Sequence, residues 1–395
     1  MDANTVNRRP RSTVGRITEI DALRGFALLG ICMVNAPVIA GAWGAQAQST
    51  TADHLAAWLI TALFTSKFYL LFAFLFGYNF TLQMRFAEQD KVSFGGRHAR
   101  RLAGLFLLGA VHAVLLYPGD ILMMYALLGL ALFTVRGMRT VALLRIATLL
   151  VLCLAALLLA IGLWVLTLPD TGQAISPAST VASNASGYRS DPLSIVSTNL
   201  HMFKEALASA ALYSAHVFAA FQLGFVAGRR CLLESPGESN GRVRAMTRRL
   251  LWAGLLIGVP GSVFTAMCSN GPFTDDLYFV GQAVNVITAP ALAAAYGCAL
   301  LLLARGRHGP RLVQVLAPAG RMSLSNYLAQ SLVLAYVFTG YGLGLFGRVG
   351  PAILVGVCLL LYTGQLAVSA WIMSHFRQGP VESLLHRITS GRSAR

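Results

Sequence analysis

The sequence predicts an all-α membrane protein: a polytopic bundle of about ten transmembrane helices with both termini in the cytoplasm. Three observations lead to this fold class. The 395 residues are 56% hydrophobic and only 12% charged, about half the charge that a soluble domain carries. Apolar stretches of membrane-spanning length recur along the whole chain. Lys and Arg are concentrated in every second segment that joins these stretches.

The apolar stretches, cut at charges and at Gly/Pro clusters, define the predicted crossings. Most reach the ~20 residues that a membrane helix needs. The third and fourth are shorter and share the turn from Tyr117 to Asp120, so we interpret them as a tight helical hairpin across the bilayer. The crossings span residues 20–42, 55–82, 102–117, 119–135, 141–168, 206–230, 249–270, 274–303, 312–338 and 349–374.

Lys and Arg residues predict the orientation, because positive residues near helix ends stay on the cytoplasmic side. The outer segments contain only Arg189, Lys204 and Arg348, and the alternation holds through all the crossings. Most of the net charge of +16 is therefore a topology signal and a contact with anionic headgroups, and we expect no nucleic-acid partner. The inner segments contain Arg8 to Arg24, Arg85 to Arg101, Arg136 to Arg145, Arg229 to Arg249, Arg305 to Arg321 and Arg377 to Arg395.

The same pattern predicts one transmembrane domain, residues 20–374, between a basic cytoplasmic tail of residues 1–19 and a second cytoplasmic tail of residues 375–395. No small-residue cleavage site follows the first arginines, so we expect the first helix to be retained. The six cysteines show no close pairing, which argues against a zinc or other metal site and against a disulfide framework. The one long outer segment, about 169–205, is too small for a catalytic domain.

Several motifs resemble, in order along the whole chain, those of the YeiB or DUF418 family of bacterial membrane proteins. The DUF418-like portion covers about residues 206–390. The resemblance implies a multi-pass protein of the bacterial inner membrane. The motifs are IDALRGFALLGICMVN (20–35), KFYLLFAFLFGYNF (67–80), LGAVHAVLLYPGDILMMYALLGL (108–130), GRMSLSNYLAQS (320–331) and FRQGPVESLLHRIT (376–389).

The opening Asp-x-x-Arg-Gly of residues 21–25, followed by Asn35, is also similar to a wider superfamily of transmembrane acyltransferases. That superfamily includes the lysosomal heparan glucosaminide acetyltransferase. The similarity implies acyl transfer from cytosolic acyl-CoA or acetyl-CoA, as co-substrate, to a hydroxyl or amine of an extracytoplasmic glycan, lipid or metabolite.

Three positions depart from these patterns. Ser383 and His386 occupy places in the C-terminal motif where the family usually has Trp, so an interfacial anchor is lost. His54 lies at a different spacing from Asn35 than the catalytic His of the lysosomal enzyme. We therefore do not assign that role to His54, and the sequence leaves open whether His54 or His112 is the base.

The candidate catalytic residues lie near the predicted outer face. His112 comes six residues before Pro118 and Asp120 two after it, an axial offset of about 6 Å that permits contact without assuring it. A His beside a carboxylate can take a proton from an alcohol or amine. Asn35, at similar depth, could polarise the acyl carbonyl. The alternatives are a helix cap for Asp120 and interhelical hydrogen bonds for His112 and Asn35.

The candidate CoA-binding residues lie near the predicted inner face. Asp21 and Arg24 are one turn apart at the start of the first helix, and Arg321 and Asn326 begin the ninth crossing. An Arg can grip a diphosphate through two nitrogens while a neighbouring carboxylate orients it. The alternative is that Asp21 caps the helix and Arg24 follows the positive-inside rule.

Lys67 completes the predicted cofactor-binding set, because it lies near the middle of the predicted second helix. A charge there costs at least ~2.5–3.5 kcal/mol on insertion scales, so we expect it to face a partner or a polar cavity. The alternative is that residues 55–66 form a re-entrant or interfacial segment, which would place Lys67 at the surface.

Three function classes follow. The first is the acyltransferase. The second is a membrane transporter or exporter without covalent chemistry, suggested by the number of helices and by Lys67. The third is a non-enzymatic membrane component. The partners expected are the lipid bilayer, a small-molecule, glycan or lipid acceptor, and a second copy of the chain in a homodimer.

Overall fold

The computed structural model describes residues 18–43, 49–89, 93–168, 177–233 and 240–390. Within these ranges every regular element is a helix, which confirms the all-α class. The helices are α1 (Thr18–Ile39), α2 (Thr51–Leu63), α3 (Lys67–Gln89), α4 (Phe94–Leu115), α5 (Leu122–Val135), α6 (Thr140–Val165), α7 (Pro177–Arg189), α8 (Pro192–Arg229), α9 (Asn240–Asn270), α10 (Thr274–Ala304), α11 (Gly309–Arg321), α12 (Ser323–Phe338), α13 (Pro351–His375) and α14 (Pro380–Ser390).

In the part of the chain that the structure describes, seven helical units are long and apolar enough to cross a membrane. They are α1, α2 with α3, α6, α8, α9, α10 and α13, and each coincides with a predicted crossing. The other three predicted crossings correspond to α4, α5 and the segment of α11 with α12. Helices α5 and α12 have only 14 and 16 residues. Helix α4 carries three arginines in its first eight residues.

The sequence predicts one helix over residues 55–82, and this prediction is wrong in one respect. In the structure the segment is broken between α2 and α3. Ser66 has a φ of 70°, which ends one helix before the next begins. A break inside a membrane needs partners for its freed carbonyls. Lys67 Nζ donates to the carbonyl of Thr61 at 3.2 Å, and Tyr296 Oη donates to the carbonyl of Leu63 at 3.0 Å.

Three further differences concern segments near the helix ends. The predicted crossing 312–338 is divided at Met322 into α11 and α12. The predicted outer segment 169–205 contains α7 and the first turns of α8. The predicted C-terminal tail contains α14, which packs on α4 and α12. Short helices lack a long apolar run, and hydropathy alone does not separate them from loops.

Helix α1 lies in the middle of the bundle and packs on α3, α11, α12 and α13. Its closest approach is to α11, where two glycines meet the facing backbone. A side chain on Gly25 would overlap the carbonyl of Leu316, and one on Gly320 would overlap the carbonyl of Asp21. The Asp-x-x-Arg-Gly motif and the Gly-Arg-Met-Ser motif are therefore in direct contact.

The helix ends gather in two sets, which we call the inner end, where α1 begins, and the outer end, where α1 finishes. At the inner end, Arg100 Nε at the start of α4 donates to the carbonyl of Thr389 in α14 at 3.0 Å. At the outer end, Asn199 Nδ2 in α8 donates to the carbonyl of Val114 in α4 at 3.0 Å. These sets agree with the sides that the positive charges predict, while the orientation in the membrane stays a prediction.

The glycine contact between α1 and α11 predicts a stability difference. We expect Gly320→Ala to lower the free energy of unfolding by about 1–3 kcal/mol, because its methyl group would overlap the α1 backbone. Gly364→Ala in α13 is the control, since that glycine faces open space and alanine favours helix. Thermal unfolding in detergent measures both. Equal midpoints for the two variants would contradict the packing described.

Candidate functional site

His112 and Asp120 meet beside the turn that joins α4 to α5. His112 Nδ1 lies 2.8 Å from Asp120 Oδ1, and the two side chains are 1% and 0% exposed. Asp120 Oδ2 also accepts a hydrogen bond from the backbone N–H of Met123 at 2.9 Å. One carboxylate oxygen therefore contacts the imidazole while the other caps the first turn of α5. The predicted axial offset of about 6 Å did not decide whether the two residues touch. The structure places His112 and Asp120 in hydrogen-bond contact.

The carboxylate determines what the imidazole can do. When Nδ1 donates to Asp120, the lone pair of a neutral imidazole is on Nε2. His112 Nε2 is buried and has no hydrogen-bond partner among the described residues. A His that is oriented by a carboxylate and has a free ring nitrogen has the arrangement of a general base.

Tyr327 of α12 joins this pair. Its Oη donates to Asp120 Oδ1 at 3.4 Å, and its ring centroid lies 5.0 Å from that of His112. Tyr327 is not among the catalytic residues that the sequence predicts. Its assignment to the network depends on α12 packing beside the turn between α4 and α5, which the order of the motifs does not reveal.

An inner cavity of about 200 Å³ contains three arginines, Arg24, Arg101 and Arg321, and one carboxylate, Glu382. Arg24 Nη1 pairs with the buried Asp21 at 2.9 Å, which fixes the direction of its guanidinium. The predicted pair of Arg24 and Arg321 therefore shares one cavity. The other lining residues are mainly apolar and include Leu28, Ile31, Phe72, Leu75, Phe76, Asn79, Leu105, Ile121, Leu122, Tyr125, Leu324, Tyr327 and Leu385.

Two residues of this cavity were not selected from the sequence. Arg101 was counted only as a topology signal, and its guanidinium lies 5.6 Å from the centroid of the Phe76 ring. Glu382 Oε1 accepts the backbone N–H groups of Leu324 and Ser325 at 2.8 and 3.1 Å, so Glu382 caps α12 from α14. The Glu within the Gly-Pro-Val-Glu-Ser motif was the signal that could have indicated this role.

An outer cavity of about 650 Å³ lies between α1, α3, α5, α8 and α10. Asn35 and Asp120 both line it, so two of the three predicted catalytic residues share one space. Ser66, at the break between α2 and α3, lines it as well. Most of the remaining wall is apolar.

The two cavities adjoin beside the His112 network. Ile31 and Ile121 line both of them. Tyr327 lines the inner cavity and Asp120 the outer one, whereas His112 lines neither and contacts them through these two partners. The network therefore lies at the boundary between an arginine-rich space and a larger, mainly apolar space.

Lys67 and Asn326 line neither cavity. The break at Ser66 makes residues 55–66 a segment separate from α3, as the alternative interpretation expected. Lys67 is nevertheless not at the surface, because it is fully buried and donates to the carbonyl of Thr61. Asn326 Nδ2 donates to the carbonyl of Ala319 and to Ser369 Oγ, at 3.1 and 2.9 Å, and ties α12 to α11 and α13. Their predicted contact with CoA stays a prediction.

Comparison with known proteins gives one family. Residues 227–392 match the family described as "Protein of unknown function (DUF418)". YxaH of Bacillus subtilis, described as uncharacterised, is 30% identical across 96% of this chain and 96% of its own length. YeiB of Escherichia coli, described likewise, is 28% identical across 95% of this chain and 96% of its own. A 39.9 kDa protein of Bacillus acidopullulyticus is 25% identical across 95% and 94%. With a relative of this identity over nearly its whole length, the chain belongs to the YeiB/DUF418 family of multi-pass bacterial membrane proteins.

Proposed function

We propose that the protein is a transmembrane acyltransferase, which moves an acyl group from cytosolic acyl-CoA to a hydroxyl or amine of an extracytoplasmic acceptor. One observation carries the proposal. The buried His112, Asp120 and Tyr327 network lies between a cavity with three arginines at the inner end and a larger cavity at the outer end.

The inner cavity suits one part of acyl-CoA. Arginines bind phosphate through charge-assisted hydrogen bonds, and the apolar wall beyond them suits a pantetheine arm and its thioester. A cavity of about 200 Å³ is below the roughly 300–1,000 Å³ of complete ligand sites. We therefore expect the nucleotide to remain at the cytoplasmic opening, beside the arginines, while the arm enters.

His112 and Asp120 would carry the proton during the transfer. The acceptor oxygen or nitrogen attacks the thioester carbonyl carbon, a C–O or C–N bond forms, and the C–S bond breaks. The acceptor's proton passes to the His112 and Asp120 pair and then to the leaving sulfur, which departs as the CoA thiol. Asn35 could donate a hydrogen bond to the carbonyl oxygen as its charge develops. The thioester would reach the pair past Ile31 and Ile121, which line both cavities.

His112 and Asp120 should act as one unit. We expect His112→Gln and Asp120→Asn each to lower acyl-CoA turnover about 100-fold or more, because each removes the oriented base. The double variant should lose little more than either single variant. Release of the CoA thiol measures turnover.

His98→Gln is the matched control for this prediction. His98 is a second His of α4, buried to a similar extent at 3% exposure, and it lines neither cavity. Its ring stacks on Phe94 and Phe133. Equal losses of turnover in His98→Gln and His112→Gln would indicate that His112 has a packing role. That result would contradict the proposal that His112 acts as the general base.

Arg101 should contribute to acyl-CoA binding. We expect Arg101→Gln to raise KM for acetyl-CoA about tenfold with little change in kcat, because it removes one charged contact to phosphate far from the reacting atoms. Arg97→Gln, one turn earlier in α4 and outside the cavity, is the control. The added KM effect should shrink with a truncated acetyl-pantetheine donor, which lacks the nucleotide. A KM that does not respond to Arg101→Gln would place the phosphates elsewhere.

The second candidate is a transporter, which the break between α2 and α3 favours. Broken membrane helices beside a cavity are typical of transport sites, and Ser66 at this break lines the outer cavity. Uptake of a labelled polar metabolite extract into membrane vesicles distinguishes the two functions. Uptake that is lost in Lys67→Met and unchanged in His112→Gln would support transport. Thiol release that depends on His112, without uptake, would support acyl transfer.

A further inference from the structure

The outer cavity is lined mainly by apolar side chains. Asn35, Ser66 and Asp120 are among its polar lining residues, and Asp120 contacts the proposed base. The hydroxyls of Ser209, Tyr213, Ser214 and Tyr278 and the amide of Gln282 add scattered polar groups. The walls on α5 and α8 are otherwise apolar, with Met123, Met124, Leu127, Leu128, Phe203, Ala206, Leu207, Ala210, Ala211 and Val217. A sugar or another strongly polar acceptor would leave most of these walls without matching groups, whereas an amphiphile offers a polar head and an apolar tail.

The outer cavity is open toward the side of the bundle. Leu127 on α5 and Leu207 on α8 both line the cavity, yet they are 58% and 57% exposed. Helix α8 is a membrane-spanning candidate, and α5 is a shorter helix made almost entirely of apolar residues. Exposed leucines on such helices contact acyl chains rather than water. The opening between α5 and α8 therefore leads into the hydrocarbon of the bilayer.

Short side chains on α8 create this opening. Small residues usually let membrane helices approach closely. Here Ala206, Ser209, Ala210, Ala211 and Ser214 line the cavity instead, and their short side chains leave space between α8 and α5.

A positive charge lies just above the opening. Lys204 is exposed and precedes Leu207 by three residues, a rise of about 4.5 Å toward the outer end. The neighbouring Glu205 lies 3.6 Å from His201, one turn earlier. Lys204 comes just before the predicted crossing of residues 206–230, so we expect its ammonium at the outer interface, where lipid phosphates lie.

We propose that the acceptor is a phospholipid with a free hydroxyl or amine in its headgroup, which enters from the bilayer between α5 and α8. Its headgroup reaches Asp120 and Asn35, its phosphate lies near Lys204, and its chains extend past Leu127 and Leu207. The product is the same lipid with an ester or amide on its headgroup, formed as the C–S bond of the thioester breaks. This inference rests on the proposed acyl transfer and names its acceptor.

Two substitutions on one helix test the opening. Ala211→Phe would fill the cavity at α8, whereas Ala208→Phe places the same side chain one turn away, outside the cavity. Both alanines are exposed, so neither substitution overpacks the core. The proteins are reconstituted in nanodiscs of phosphatidylglycerol, phosphatidylethanolamine or phosphatidylcholine and given radiolabelled acetyl-CoA. Native mass spectrometry measures bound lipid, and thiol release measures acyl-CoA turnover separately.

We expect label in phosphatidylglycerol or phosphatidylethanolamine and none in phosphatidylcholine, which has no free hydroxyl or amine in its headgroup. Ala211→Phe should lose the retained lipid and at least tenfold of the lipid labelling, while Ala208→Phe stays within about twofold of the natural protein. Thiol release without label in any lipid, unaffected by Ala211→Phe, would overturn the lipid acceptor and leave thioester cleavage by the protein intact. Absence of thiol release with every acceptor would overturn both.

Discussion

Helix α1 crosses α11 at Gly25 and Gly320, and this crossing sets the positions of the groups around the inner cavity. The absence of a side chain at each glycine allows the two backbones to touch. Arg24 and Arg321, each next to one of these glycines in sequence, are thereby brought to one cavity. Since α12 follows α11 after a single residue, the same crossing also places Tyr327 against Asp120. The inner and outer groups depend on one contact.

The bilayer imposes a second constraint, which concerns the outer cavity. Backbone that is not helical at membrane depth must find hydrogen-bond partners in the protein or line a polar space. At the break between α2 and α3, Lys67 and Tyr296 donate to the carbonyls of Thr61 and Leu63. Asn285 Nδ2 also donates to the side-chain oxygen of Ser66 at 2.7 Å. The burial of Lys67 thus has a structural explanation, because its ammonium donates to a carbonyl at the C-terminal end of α2, where the helix dipole favours a positive charge. These contacts allow a break in the helix to border a cavity.

The sequence indicated two groupings of the candidate site, His112 with Asp120 and Arg24 with Arg321, because the signals for them are local. The turn from Tyr117 to Asp120 fixes the distance between His112 and Asp120 within a few ångströms, and charge alternation sorts Arg24 and Arg321 to one side. The remaining contacts join segments that are far apart in the chain. Glu382 lies more than fifty residues from the α12 backbone that it caps. The break at Ser66 was hidden because both flanking segments are apolar, so hydropathy registers one helix.

Acyl transfer in this protein requires that the inner cavity receives the acyl-CoA arm and that the thioester passes Ile31 and Ile121 to reach the His112 network. The direct measurement is a cryo-EM structure of the protein in nanodiscs with a non-hydrolysable acetyl-CoA analogue. We predict phosphate density against Arg24, Arg101 and Arg321, with the arm reaching past Ile31 and Ile121 and the analogue's carbonyl within hydrogen-bond distance of the His112 network. An analogue bound away from these arginines, or no binding at saturating concentration, would contradict the account.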